Sequence, residues 1–137
     1  MRRFLIAYLA AAAAFFVLDL LWIGLIAIDW YRAAIGHLML PEPRFGYAAL
    51  FYALYVAGIV RFAIAPALGE GAWTGAARAG AAFGFFCYLT YDMTNLATLQ
   101  GWPVWISLVD LAWGTFATGC AATAGFLAAR RRVQADA

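Results

Sequence analysis

Three aspartates lie inside long apolar stretches of this sequence, where lipid would surround most side chains. Asp19, Asp92 and Asp110 each stand between aliphatic or aromatic neighbours. An ionised carboxylate at the middle of a bilayer costs at least ~2.5 kcal/mol on insertion scales, so such a residue needs a partner, a proton or a function. The chemistry open to the three carboxyl groups is proton exchange, cation binding or general acid–base catalysis.

Four apolar stretches carry these acids and define the fold: residues 4–28, 45–68, 73–99 and 103–129. Each has at least the ~20 residues that a helix needs to cross the hydrocarbon core. The chain has 137 residues and is 67% hydrophobic and 12% charged, whereas a soluble domain is ~25% charged. We therefore predict a single all-α domain: an integral membrane antiparallel four-helix bundle with a short extracytoplasmic interfacial helix from Trp30 to Leu40.

The positions of the arginines predict the orientation. Most of them would share one side of a four-span bundle, among them Arg2, Arg3, Arg61, Arg78, Arg130 and Arg131. The positive-inside rule then puts both termini in the cytoplasm. Aromatic residues near the opposite boundary are expected to form an interfacial belt, a structural role that needs no ligand; they are Trp30, Tyr31, Tyr47, Trp102 and Trp105.

In this topology the three acids share a depth, ~10–14 Å from the outer boundary at the helical rise per residue. The first and fourth spans each present an aspartate followed three residues later by a tryptophan. This repetition suggests a pocket walled by indole rings. The candidate binding residues at this depth are Asp19, Trp22, Tyr52, Tyr55, Tyr88, Tyr91, Asp92, Asn95, Asp110 and Trp113.

Other residue types argue against several classes of site. His37 is the single histidine, and Cys87 and Cys120 lie in different spans without ligand spacing, so we expect no metal site and no disulfide. Nothing resembles a phosphate-binding loop, and we expect no cofactor. The net charge of +2 gives no reason to expect a nucleic-acid partner. The partners that remain are the lipid bilayer, a second copy of the chain, and a small amphipathic molecule or lipid as ligand.

Three functions stay open from the residues alone. The acid cluster could be a proton-linked binding or transport site for a small amphipathic molecule, with at least one carboxyl group protonated because low dielectric disfavours unpaired charge. It could instead belong to a membrane enzyme that uses paired aspartates on a lipid or isoprenoid. It could also be a structural network of an accessory membrane subunit, in which polar side chains only join helices.

The most distinctive segments resemble a family of small bacterial membrane proteins, the domain-of-unknown-function family 2177. They are residues 18–24, 51–58, 91–98 with 101–103, and 109–114. The resemblance covers nearly the whole chain, and the third-span segment is its most specific part. It implies a multi-pass protein of the bacterial inner membrane with four spans, and it brings no activity or cofactor with it.

Overall fold

The structure, a computed structural model, describes residues 2–135, and side chains from residue 2 to residue 131. Helix fills almost all of this range, which contains no strand. The first of four helical arms spans Arg2–Leu38. It consists of α1 (Arg2–Leu21), a π-helical segment (Trp22–Ala27), α2 (Ile28–Ile35) and a 3₁₀ turn (Gly36–Leu38).

The second arm, Phe45–Glu70, is also interrupted by a π-helical segment. It consists of α3 (Phe45–Ile59), the segment Val60–Ile64 and α4 (Ala65–Glu70). The third and fourth arms are the uninterrupted helices α5 (Trp73–Thr98) and α6 (Val104–Ala135). The predicted all-α helical bundle is confirmed.

Within the described residues, three stretches are long and apolar enough to cross a membrane. They are Arg2–Leu38, Phe45–Glu70 and Val104–Arg131, with mean hydropathies of 2.4, 1.9 and 1.3. Helix α5 has 26 residues, which at ~1.5 Å per residue exceeds the ~30 Å of the hydrocarbon core. Its threonines, glycines and tyrosines make it more polar than the other three arms.

Neighbouring arms run antiparallel. A Cβ at Gly125 of α6 would meet Ala7 and Ala11 near the start of α1, whereas Trp113 earlier in α6 contacts Asp19 near the end of α1. Both termini of the described chain and the turn between α4 and α5 therefore lie at one end of the bundle. We call the opposite end, with residues 39–44 and 99–103, the upper end.

Two glycines make the tight connections possible. Gly71 ends α4 with φ 77°, and its N–H donates to the carbonyl of Ala67. Gly101 has φ 80° in the turn between α5 and α6. Residues with a Cβ are strained at such angles, so the glycine pattern of these turns follows from backbone sterics.

The two π-helical segments interrupt the regular α-helical hydrogen bonding of the first and second arms. In the second arm the cause is Pro66, which cannot donate to the carbonyl of Phe62 and so disrupts the regular ladder just before it. The first segment contains no proline, and nothing in its sequence explains it. Through it α2 continues directly from α1, so the helix predicted from Trp30 to Leu40 begins at Ile28 and ends at Ile35, followed by a 3₁₀ turn to Leu38.

Small residues fill the interior, and large apolar residues face outward. Among residues 2–131 the buried core cluster contains nine alanines, and its largest fully buried side chains are Phe15, Ile59, Ile64 and Phe126. Glycines let α5 and α6 touch, because a Cβ at Gly80 or Gly84 would strike backbone atoms of α6. Large side chains such as Leu25 and Leu54 are more than half exposed. This distribution suits a bundle whose surface is solvated by lipid.

Candidate functional site

A cavity of about 560 Å³ opens in the upper half of the bundle and draws residues from all four arms. Its volume lies within the ~300–1,000 Å³ of small-molecule sites. Aromatic rings and two carboxyl groups dominate the lining: Asp19, Trp22, Ile23, Tyr31, Ile35, Met39, Phe51, Tyr55, Cys87, Tyr88, Tyr91, Trp102, Asp110 and Trp113. The wider depression on the outer face between α5 and α6 is almost wholly apolar and has no carboxyl group in its lining.

Asp19 is 6% exposed and accepts hydrogen bonds from two arms. The hydroxyl of Tyr52 in α3 donates to Oδ2, and the indole Nε1–H of Trp113 in α6 donates to Oδ1 over 3.2 Å. Both donors are directed at the carboxylate, one from a phenol and one from an indole. Such donors stabilise a negative charge.

Asp110 is also 6% exposed and is held in a similar way. The hydroxyl of Tyr31 in α2 donates to its Oδ1. Tyr31 in turn accepts the Nε1–H of Trp22 over 3.4 Å. The upper part of the first arm thus folds toward α6 and joins the cavity through a Trp–Tyr–Asp chain.

The two Asp–Trp pairs of the sequence cross in space. Trp22 and Trp113 stack with ring centroids 4.5 Å apart and planes within 7° of parallel. Trp113 then reaches Asp19 of the first arm, and Trp22 reaches Asp110 of the fourth through Tyr31. The stacked indoles form one wall of the cavity, with an acid at either side.

The inner end of the cavity is closed by contacts between three arms. Tyr55 of α3 shares a 2.8 Å hydrogen bond with Thr118 of α6, both side chains being buried. Phe15 of α1 packs below Tyr55 with 5.1 Å between centroids. Across from them, the ring of Tyr88 lies over Gly114, where any Cβ would collide with it.

Asp92 and Asn95 lie apart from this cavity. Successive residues of a helix are turned by ~100°, so Cys87, Tyr88 and Tyr91 of α5 face the cavity while Asp92 is rotated toward α6. Asp92 is fully buried there beside Ser107. Of the ten candidate residues, seven line the cavity, and Tyr52 reaches it through Asp19.

Sequence reasoning missed several lining residues, above all Tyr31 and Trp102. Both were assigned to an interfacial belt, yet Tyr31 binds Asp110 and Trp102 is 9% exposed in the cavity wall. The π-helical segment that precedes Tyr31 contains no proline and has no sequence signal. Phe51 could have been found, because it precedes Tyr55 by one helical turn on the same face of α3.

The charged residues in the cavity lining are both acidic. No arginine contributes to its lining, and the one ion pair found among residues 2–131 joins Arg32 to Asp29 at 3.8 Å on the exposed face of α2. No group of three or more His, Cys, Asp or Glu side chains within the same residues could hold a metal ion. The carboxyl groups of Asp19 and Asp110 therefore have hydrogen-bond donors but, among residues 2–131, no counter-ion.

Comparison with known families identifies the family to which the chain belongs. The family described as a predicted membrane protein, DUF2177, matches residues 4–127, which include the greater part of all four helical arms and the whole cavity lining. Comparisons with curated proteins and with solved structures found no match. The apolar helices, the lipid-facing surface and this match agree, and the chain belongs to the DUF2177 family of membrane proteins.

Proposed function

We propose that the upper cavity binds a small amphipathic organic cation, and that this binding is linked to protons. One observation carries the proposal: Asp19 and Asp110 flank a stacked pair of indoles in one cavity whose lining contains no basic residue. A cavity with two acids and no base favours positive ligands over negative ones.

The aromatic lining supports a particular kind of cation. The faces of Trp and Tyr rings attract ammonium groups, and sets of such rings are used to recognise quaternary ammonium ligands. Carboxylates in a medium of low dielectric strengthen that attraction. Ile23, Ile35 and Met39 add apolar surface for a short hydrocarbon part. An organic cation with an apolar tail fits this chemistry.

The carboxyl groups in and near the cavity account for the link to protons. A cation bound beside them and a proton bound to one of them disfavour each other, so cation affinity should fall as pH falls through the range in which that group takes up its proton. Such competition is the elementary step of proton-linked transport. It requires no metal and no nucleophile.

We also propose the membrane arrangement in which this site works. Four spans, with α5 as the third, would place both termini in the cytoplasm of a bacterial inner membrane. Arginines at the end of the bundle that holds both termini support this orientation. Arg130, at that end, donates to the carbonyl of Gly71 over 2.9 Å. The cavity would then open toward the outer leaflet.

The test is a binding titration with paired amphiphiles. The protein in lipid nanodiscs is titrated with trimethyloctylammonium and with octyl sulfate, and tryptophan fluorescence is recorded, because Trp22, Trp102 and Trp113 line the cavity. We expect saturable binding of the cation alone. Asp19→Asn should weaken it at least about tenfold, equivalent to about 1.4 kcal/mol.

Asp29→Asn is the matched control, since Asp29 carries the same charge on the first arm but its side chain is 88% exposed and away from the cavity. Equal binding of octyl sulfate, or an Asp19→Asn variant as tight as the Asp29→Asn control, would contradict the proposal. Conversion of a host lipid or isoprenoid without cation binding would favour the enzyme alternative. Co-purification of a stable partner with neither activity would favour an accessory subunit.

A further inference from the structure

Asp92 differs from the other two intramembrane acids in that its carboxyl oxygens accept no hydrogen bond of regular geometry from the described residues. It is 0% exposed, and neither of its carboxyl oxygens has a partner among the described residues. The Nδ2 of Asn95, one helical turn further along α5, is likewise buried without an acceptor. Buried polar groups are almost always satisfied, so unpaired ones on adjacent turns require an explanation.

The surroundings of Asp92 separate it from the cavity by one layer of side chains. Ser107 of α6 lies beside it, and its hydroxyl is a nearby donor that is not in regular hydrogen-bond geometry with either carboxyl oxygen. The Oγ of Ser107 accepts the Nε1–H of Trp102 over 3.0 Å, and the ring of Trp102 belongs to the cavity wall. The titratable groups that face this site are Asp110, one turn beyond Ser107 on α6, and Tyr91 on α5 itself.

The three aspartates fall into two kinds according to the hydrogen bonds that they accept. Asp19 and Asp110 accept O–H or N–H donors, as carboxylates do when they carry charge. An ionised Asp92 would be a buried charge with no donor in regular hydrogen-bond geometry and no counter-ion among the described residues, which is strongly unfavourable. A neutral carboxylic acid needs far less, because it has no charge to be compensated and its O–H can itself donate.

We propose that Asp92 is the proton-binding site of this protein, while Asp19 and Asp110 carry the charge that binds the cation. This assignment rests on the proposed function of the cavity and names the residue responsible for its link to protons. Asp92 is neutral and protonated when the cavity is empty. Asn95 and Ser107 surround the proton, and Trp102 separates it from the ligand.

Electrostatic repulsion between Asp110 and Asp92 couples the binding of the cation to the release of the proton. Like charges oppose each other's ionisation, and Asp110 lies only ~4.5 Å along α6 from Ser107, the neighbour of Asp92. A cation bound at Asp110 offsets that negative charge, so Asp92 can lose its proton. The O–H bond of Asp92 breaks, the proton passes to water, and the carboxylate remains. One proton leaves for each monovalent cation that binds, and the net charge of the region is unchanged.

The experiment combines binding with infrared spectroscopy on the full chain in nanodiscs. Infrared difference spectra, with isotope-labelled aspartate, should show a protonated carboxyl band that trimethyloctylammonium abolishes in the wild type. The band should be missing in Asp92→Asn and present in Asp19→Asn before ligand is added. Cation affinity should rise about tenfold per pH unit in the wild type, as one-for-one exchange requires, and become nearly independent of pH in Asp92→Asn.

The possible failures can be told apart. If the wild type binds no cation, the proposed function fails. If it binds the cation but its carboxyl band persists on binding, the assignment of Asp92 is wrong while the cavity function stands. A pH dependence in Asp92→Asn equal to that of the wild type would overturn the assignment in the same way. If Asp92→Asn does not fold, Asp92→Glu decides the question: it keeps the carboxyl group but carries no labelled aspartate, so the band must lose its isotope shift if it belongs to residue 92.

Discussion

Replacing Gly84 by alanine should loosen the contact between α5 and α6 on which the cavity depends. A Cβ at this position would strike the carbonyl oxygen of Gly114 and the side chain of Thr118. A side chain could rotate away, but a backbone carbonyl within a helix cannot, so the two helices must separate. Overpacking of this kind costs ~1–3 kcal/mol.

Better helix propensity offsets part of that cost. Alanine is favoured over glycine by ~1 kcal/mol in a helix in water, but helices inserted in a membrane keep their backbone hydrogen bonds when they come apart, which reduces this gain. We therefore expect Gly84→Ala to lower the free energy of unfolding by about 2 kcal/mol. Cation binding should weaken as well, because Thr118 is the partner of Tyr55 at the inner end of the cavity.

The assay is reversible unfolding in mixed micelles with increasing denaturing detergent, followed by circular dichroism and tryptophan fluorescence. Gly46→Ala is the matched control, because no atom lies within 4 Å of a Cβ built there. It should be neutral or slightly stabilising. If Gly84→Ala unfolds at the same detergent concentration as Gly46→Ala, the close approach of α5 and α6 is wrong.

Three further predictions test neighbouring parts of the account. Thr118→Val keeps the side-chain shape but removes the hydroxyl that pairs with Tyr55; it should reduce stability by ~1–3 kcal/mol in the same unfolding assay, and a neutral result would argue against the buried pair. Trp113→Phe keeps an aromatic ring but removes the donor to Asp19; it should weaken cation binding, whereas Trp73→Phe, outside the cavity, should leave the affinity as it is. Reporter fusions at the two termini should both report a cytoplasmic location, and a periplasmic carboxyl terminus would refute the four-span arrangement.

The sequence predicted the helical membrane fold well because its signals are local and strong. Long apolar runs, glycine at the tight turns and arginines near one end each reflect the physics of a single segment. The depth argument also brought Asp19 and Asp110 to one level, since helical rise converts residue number directly into distance. The repeated Asp–Trp pattern pointed to an indole-walled pocket, where the structure stacks Trp22 on Trp113.

The parts that sequence could not supply depend on rotation and bending. Depth alone does not state which way a side chain is turned about its helix, so Asp92 was grouped with the cavity acids although it faces Ser107. A π-helical segment without proline precedes Tyr31 and leaves no pattern to read, and Trp102 lies in the turn between α5 and α6. The sequence placed both at the membrane boundary, and their contacts in the cavity are not visible when each helix is treated as a straight, isolated rod.

A crystal structure with a bromine-labelled alkyltrimethylammonium would test the central claim most directly. The account predicts ammonium density against the stacked faces of Trp22 and Trp113, within reach of the carboxylates of Asp19 and Asp110, and anomalous signal from bromine at the tail end toward the apolar lining. Anomalous signal confined to the depression on the outer face between α5 and α6 would contradict this prediction. An empty cavity at saturating ligand would contradict it as well.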